Sequence, residues 1–142
     1  MKLQDALKRG GYQGRNHPKT EDADTSAHAF QDGAEWVRQV LVPAITEGNA
    51  ELQPEHVAFQ LDLNLDPRST NHAHADFWLT EIKEGHRAVG PKYSINVLGG
   101  QDVWLYKPGA PGRELGSIDR CGSAEIQTLL LEAAEEFGRA IG

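Results

Sequence analysis

Between His56 and Leu65 the chain alternates without a break, Val57, Phe59, Leu61, Leu63 and Leu65 on one side against Ala58, Gln60, Asp62 and Asn64 on the other. A period of two predicts a strand with one face buried, because residues on one face of a helix recur every 3.6 positions instead. Asp66-Pro67-Arg68-Ser69 interrupts the run, and alternation resumes from His72 to Lys83 with Ala73, Ala75, Phe77 and Leu79 on a common side. Two such runs across a turn predict an antiparallel pair. A sheet of that kind needs cover on its apolar face only, so the rest of the chain has to supply one layer.

Further strands follow the same logic. Glu84-Gly85 turns the chain, and Pro91 to Leu98 places Tyr93, Ile95 and Val97 on one face. Gly99-Gly100 closes that strand, Asp102 to Lys107 supplies a fourth, and Glu114 to Asp119 a short fifth through Leu115 and Ile118, beyond the turn Pro108-Gly109-Ala110-Pro111-Gly112.

Helices bracket the strands. From Gly33 to Glu47, Trp36, Val37, Val40, Leu41, Ala44 and Ile45 recur at three- and four-residue spacing. Pro43 lies inside the pattern and predicts a kink or early end, with Gly48-Asn49 as the stop. From Ser123 to Ala140, Ile126, Leu129, Leu130, Ala133, Phe137 and Ile141 form a stripe, with Ser123 as the expected N-cap and Glu125 complementing the helix dipole. The opposite side carries Glu132, Glu135, Glu136 and Arg139 as a solvated face. Ahead of all this, Met1 to Lys8 has Leu3, Ala6 and Leu7 on one side of a short helix that Gly10-Gly11 ends, and such a helix needs a docking surface. Arg9 to Asp32 is polar and broken by Gly and His17-Pro18, which predicts a flexible arm.

The expected fold class is therefore α+β: two layers, an antiparallel four- or five-stranded meander with two amphipathic helices packed on one face. Residues 1–32 form the short helix and arm, and 33–142 a single globular domain. The 142 residues carry 14 Lys plus Arg against 21 Asp plus Glu, a net charge of −7, which disfavours nucleic acid or an anionic membrane as partner. No apolar run is long enough to span a bilayer. Absence of an apolar leader in Met1-Lys2-Leu3-Gln4-Asp5 and the single cysteine, Cys121, predict a cytoplasmic protein without disulfides.

Chemistry concentrates in His72-Ala73-His74-Ala75-Asp76. On a strand His72, His74 and Asp76 share a face at steps of about 7 Å, an arrangement that can chelate zinc or manganese and activate water. The run resembles the opening of the metallo-β-lactamase motif HxHxDH. Phe77 stands where that motif ends in histidine, and the longer α/β sandwich and downstream ligands of that superfamily are lacking, so the chain falls outside it. A further ligand would have to come from His56, Asp62 or His86. Cofactors are otherwise not expected. Arg120 and the helix dipole would lower the pKa of Cys121, but no base is placed beside it, and the expectation is a half-buried structural thiol. The glycine pairs match neither a P-loop nor a dinucleotide fingerprint.

Alternation also assigns a second sheet face. If Phe77 and Leu79 point to the core, Trp78, Thr80 and Ile82 point away, and if Val103 and Leu105 point inward, Trp104 and Tyr106 join them. Trp78, Ile82, Trp104 and Tyr106 would then form an aromatic surface suited to a protein partner or a second copy. The leading functional expectation is a small acidic, non-catalytic interaction module of accessory, chaperone-like or immunity type. The other is a metal-binding protein or metal-dependent hydrolase built on His72, His74 and Asp76. The helix, strand, strand, strand order of residues 34 to 98 is loosely similar in pattern to the bacterial trypsin-co-occurring domain, a likeness that leaves out the last third of the chain.

Overall fold

The computed structural model describes residues 19–141. Helix α1 (Lys19–Trp36) runs through a π-helical turn (Val37–Leu41) into α2 (Val42–Leu52), and a 3-10 turn (Gln53–Glu55) leads to the sheet. Five strands follow, β1 (Val57–Asn64), β2 (Ala73–Glu81), β3 (Tyr93–Leu98), β4 (Asp102–Tyr106) and β5 (Arg113–Ser117), and then α3 (Ser123–Ile141). The strands form one open antiparallel sheet in the order β1-β2-β3-β4-β5. The architecture is the two-layer α+β meander that alternation predicts, with five strands.

Alternation decides which face is covered. Phe77, Tyr93, Ile95, Val97, Val103 and Leu105 are buried on one face, where Leu41, Ile45, Ile126 and Phe137 from the helices join the same core. At its centre the Phe77 ring stacks on Tyr93, with centroids 5.2 Å apart, and meets Phe59 edge-on at 5.9 Å. Trp36 ties the helical layer together, its indole N–H donating to the Cys121 carbonyl just ahead of α3 at 2.7 Å.

Four local expectations are corrected. Residues 19–32 belong to α1 rather than to an arm, so the first helical run starts well before the predicted Gly33. The short helix over Met1–Lys8 and the arm before Lys19 lie outside the described residues. Phe30 and Ala34 are buried, and Gly33 lets α1 lie against the Val97 and Ala73 side chains. Contacts of that kind hold a helix whose own residues lack an apolar period.

Pro43 does not end the helix either. Its ring would crowd the preceding turn, and the chain widens there into the π-helical turn, with the Val42 amide donating to the Val37 carbonyl. Gly48-Asn49 lies within α2 and does not stop it. Asn49 instead turns toward the sheet: its amide donates to the Phe59 carbonyl at 3.1 Å and its carbonyl oxygen accepts from the Phe59 N–H at 2.7 Å. The side chain takes the place of a neighbouring strand at the open edge of β1. The N-cap of α3 is Gly122 rather than Ser123, since the Gly122 carbonyl accepts the Ile126 amide and its N–H donates to the Glu125 carboxylate at 2.9 Å. That is the returning half of a capping box.

Candidate interaction face of the sheet

Among the described residues no helix covers the outer face of the sheet, and the polar phases of β2 and β3 point there. Val103 and Leu105 are buried, so Trp104 and Tyr106 face outward with Trp78 and Thr80. Trp78 and Trp104 are half-buried, and Tyr106 and Ile82 are exposed. The Trp104 and Tyr106 rings stack with centroids 6.4 Å apart and planes at 20°, one residue apart on the same face of β4. Gly112, entering β5, passes so close to the Tyr106 ring that a Cβ there would lie 2.6 Å from it. On β2, Trp78 carries the Lys92 ammonium over its ring at 5.0 Å, a cation–π contact.

The aromatic residues share a face but are not contiguous. Register pairs His74 with Asn96 and Asn96 with Trp104, whereas Trp78 lies opposite Gln60. Trp78 and Trp104 are thus two strands apart, about 10 Å, and offset along the strands by about 13 Å. Polar side chains occupy the space between.

Those side chains form a network. His74 places Nδ1 2.8 Å from the Asn96 amide oxygen and Nε2 2.8 Å from Asp76 Oδ1. The same Asp76 oxygen accepts the Ser94 hydroxyl at 2.6 Å. Serine, histidine and carboxylate therefore meet, but the carboxylate sits in the middle. Ser94 gives its proton to Asp76 and has no imidazole to activate it, so the order is wrong for a nucleophilic relay.

The structure does not bring the three expected metal ligands together. His72 precedes β2 in the turn, where its backbone is tied to the Thr70 hydroxyl, and only His74 and Asp76 are brought together. With both ring nitrogens of His74 engaged by Asn96 and Asp76, no lone pair is directed at an open coordination position. Asp62 lies opposite Asp76 on the edge strand, while His56 ends the 3-10 turn and His86 lies in the loop after β2. Among the described residues no group of three or more His, Cys, Asp or Glu side chains converges to hold a metal ion.

Cys121 is wholly buried rather than half-buried. Burial, with Glu125 nearby, pushes its thiol up to about 11, against the lowering that Arg120 and the helix end suggest. A thiol so placed is inert at neutral pH.

Ser94 and Asn96 were invisible as site residues because nothing in the sequence gives the pairing of β3 with β2. Their signal was only the polar phase of β3, Ser94 and Asn96 alternating with Tyr93, Ile95 and Val97. No family model matches the chain, and no curated protein or solved structure is significantly similar to it. No helix among the described residues is long and apolar enough to cross a membrane.

Proposed function

We propose that this protein is a non-catalytic interaction module that self-associates through the outer face of its sheet. The observation carrying this reading is the pair of half-buried indoles, Trp78 and Trp104, on a face that no helix among the described residues covers. Large rings in such positions lose little conformational entropy when a partner covers them, which is why they dominate interface energetics. The occupant is a second copy because the face is mixed in charge, with Lys92 beside Trp78 and Asp62, Asp76 and Glu114 on the strands around it. A surface carrying both signs is suited to pair with itself, as a two-fold interface requires. The hydrogen-bonded block His74, Asp76, Ser94 and Asn96 would set the register between copies, its imidazole, hydroxyl and Asp76 Oδ1 already engaged within one chain.

Sedimentation equilibrium over a hundredfold range of concentration tests this. The expected result is a mass rising toward twice that of one chain, with Trp104→Ala and Trp78→Ala each weakening association at least tenfold while the far-ultraviolet circular dichroism stays the same. A wild-type chain that remains monomeric throughout, or tryptophan variants that associate as well as the wild type, would rule the reading out.

A further inference from the structure

We propose that the groove between α2 and α3 receives the N-terminal segment Met1–Arg9 of a second copy of this chain. The groove is an open cleft of about 550 Å³. Leu52, Phe59, Leu130 and Leu131 contribute its apolar lining, and Leu131, at 69% exposure, is the most exposed large apolar side chain among the described residues. Along one rim Glu47, Glu51 and Glu55 follow one another at four-residue spacing, all exposed. Among the described residues no cation pairs with any of them, although Glu81, Glu132, Glu135 and Glu136 all have such partners.

An apolar floor with an acidic rim selects a short amphipathic segment whose apolar stripe is flanked by cations. The chain contains one. Leu3, Ala6 and Leu7 have the spacing of one helix face, and Lys2, Lys8 and Arg9 surround them, with Asp5 as the only carboxylate before Lys19. A helix of about two turns is not stable alone in water and requires a surface of this kind to form.

Reach assigns the segment to another copy. The helical run from Lys19 to Ala44, at the near end of the groove, is unbroken and about 37 Å long. The ten links from Arg9 to Lys19 span at most about 36 Å, so Met1–Arg9 reaches only the near end of its own groove, and only with the linker at full stretch. A second copy imposes no such limit. The contact is separate from the outer sheet face, and does not rest on it.

Disulfide trapping in the full-length chain decides the matter. In a Leu7→Cys, Leu131→Cys double variant the native Cys121 is wholly buried and does not compete for oxidation. Mild oxidation with copper phenanthroline is expected to give a disulfide-linked dimer on non-reducing gels. Adding Glu47→Lys and Glu51→Lys should cut its yield at least tenfold, and further adding Lys8→Glu and Arg9→Glu should restore it. The same dimer should form in a Trp104→Ala background, so failure of the sheet-face reading and failure of this one are read separately. A disulfide closed within one chain would overturn the assignment to a second copy. Two unpaired thiols, or a yield indifferent to the charge reversals, would overturn the docking itself.

Discussion

At Tyr93 a hydroxyl reaches out of the core and donates to the Glu136 carboxylate on α3. That hydrogen bond, reinforced by Lys107 and opposed by partial burial, holds Glu136 below the usual glutamate value of 4.5. The folded state therefore binds this proton less readily than the unfolded chain. Its contribution to stability is complete above the unfolded-state pKa and is lost as pH falls through the lower folded value. Urea midpoints measured from neutral to acid pH should decline in that window, and Tyr93→Phe, which removes the largest cause, should make the decline shallower; parallel curves would refute the linkage. Glu132 is lowered as well, with partial burial opposing and Arg113 and Lys107 prevailing, so part of the acid sensitivity persists in the variant. Individual roles like these were beyond sequence reading. Tyr93 was recognised as a core residue through its phase in β3, but its hydroxyl partner is 43 residues away and lies on the side of α3 assigned to solvent.

Elements differ in how far their own residues specify them. The strands fall within about two residues of the predicted limits at most ends, because alternation is local and each side chain reports its own face. Helix α1 is the opposite case, with polar residues over most of its length and an anchor provided by β2, β3 and the turn between β3 and β4. In that turn Gly100 has φ +71°, and a Cβ there would lie 2.1 Å from the Ala29 carbonyl oxygen. Gly100→Ala is expected to cost about 3 kcal/mol, combining a left-handed backbone with a steric clash. Chemical denaturation would measure it, and a loss below about 1 kcal/mol would mean that α1 does not rest on the turn. Pro43 teaches a related lesson. The sequence shows that a regular helix cannot pass through it, but a widened turn and an end are both physically adequate answers, and packing of Leu41 and Ile45 on the sheet selects the first.

At the scale of the molecule, the buried cluster among the described residues runs from Phe30 to Phe137. On the docking proposed for Met1–Arg9, the segment before Lys19 serves association rather than the stability of the core. A chain beginning at Lys19 should keep the thermal midpoint of the full chain, within about 3 °C, at concentrations where both are monomeric. A drop of 10 °C or more would show that the segment belongs to the fold. The same division separates what the sequence by itself determined from what tertiary structure decided. Fold class, the buried phase of β2, β3 and β4 and the outward phase of Trp78, Trp104 and Tyr106 follow from periodicities of two and 3.6, because burial acts on each side chain by its position in its own element. Three things follow only from the assembled chain: the hydrogen bonds that engage both nitrogens of His74, the wholly buried Cys121, and the cleft beside Leu131. Each depends on residues far apart in sequence meeting across strands or between helices, and no local pattern encodes those distances.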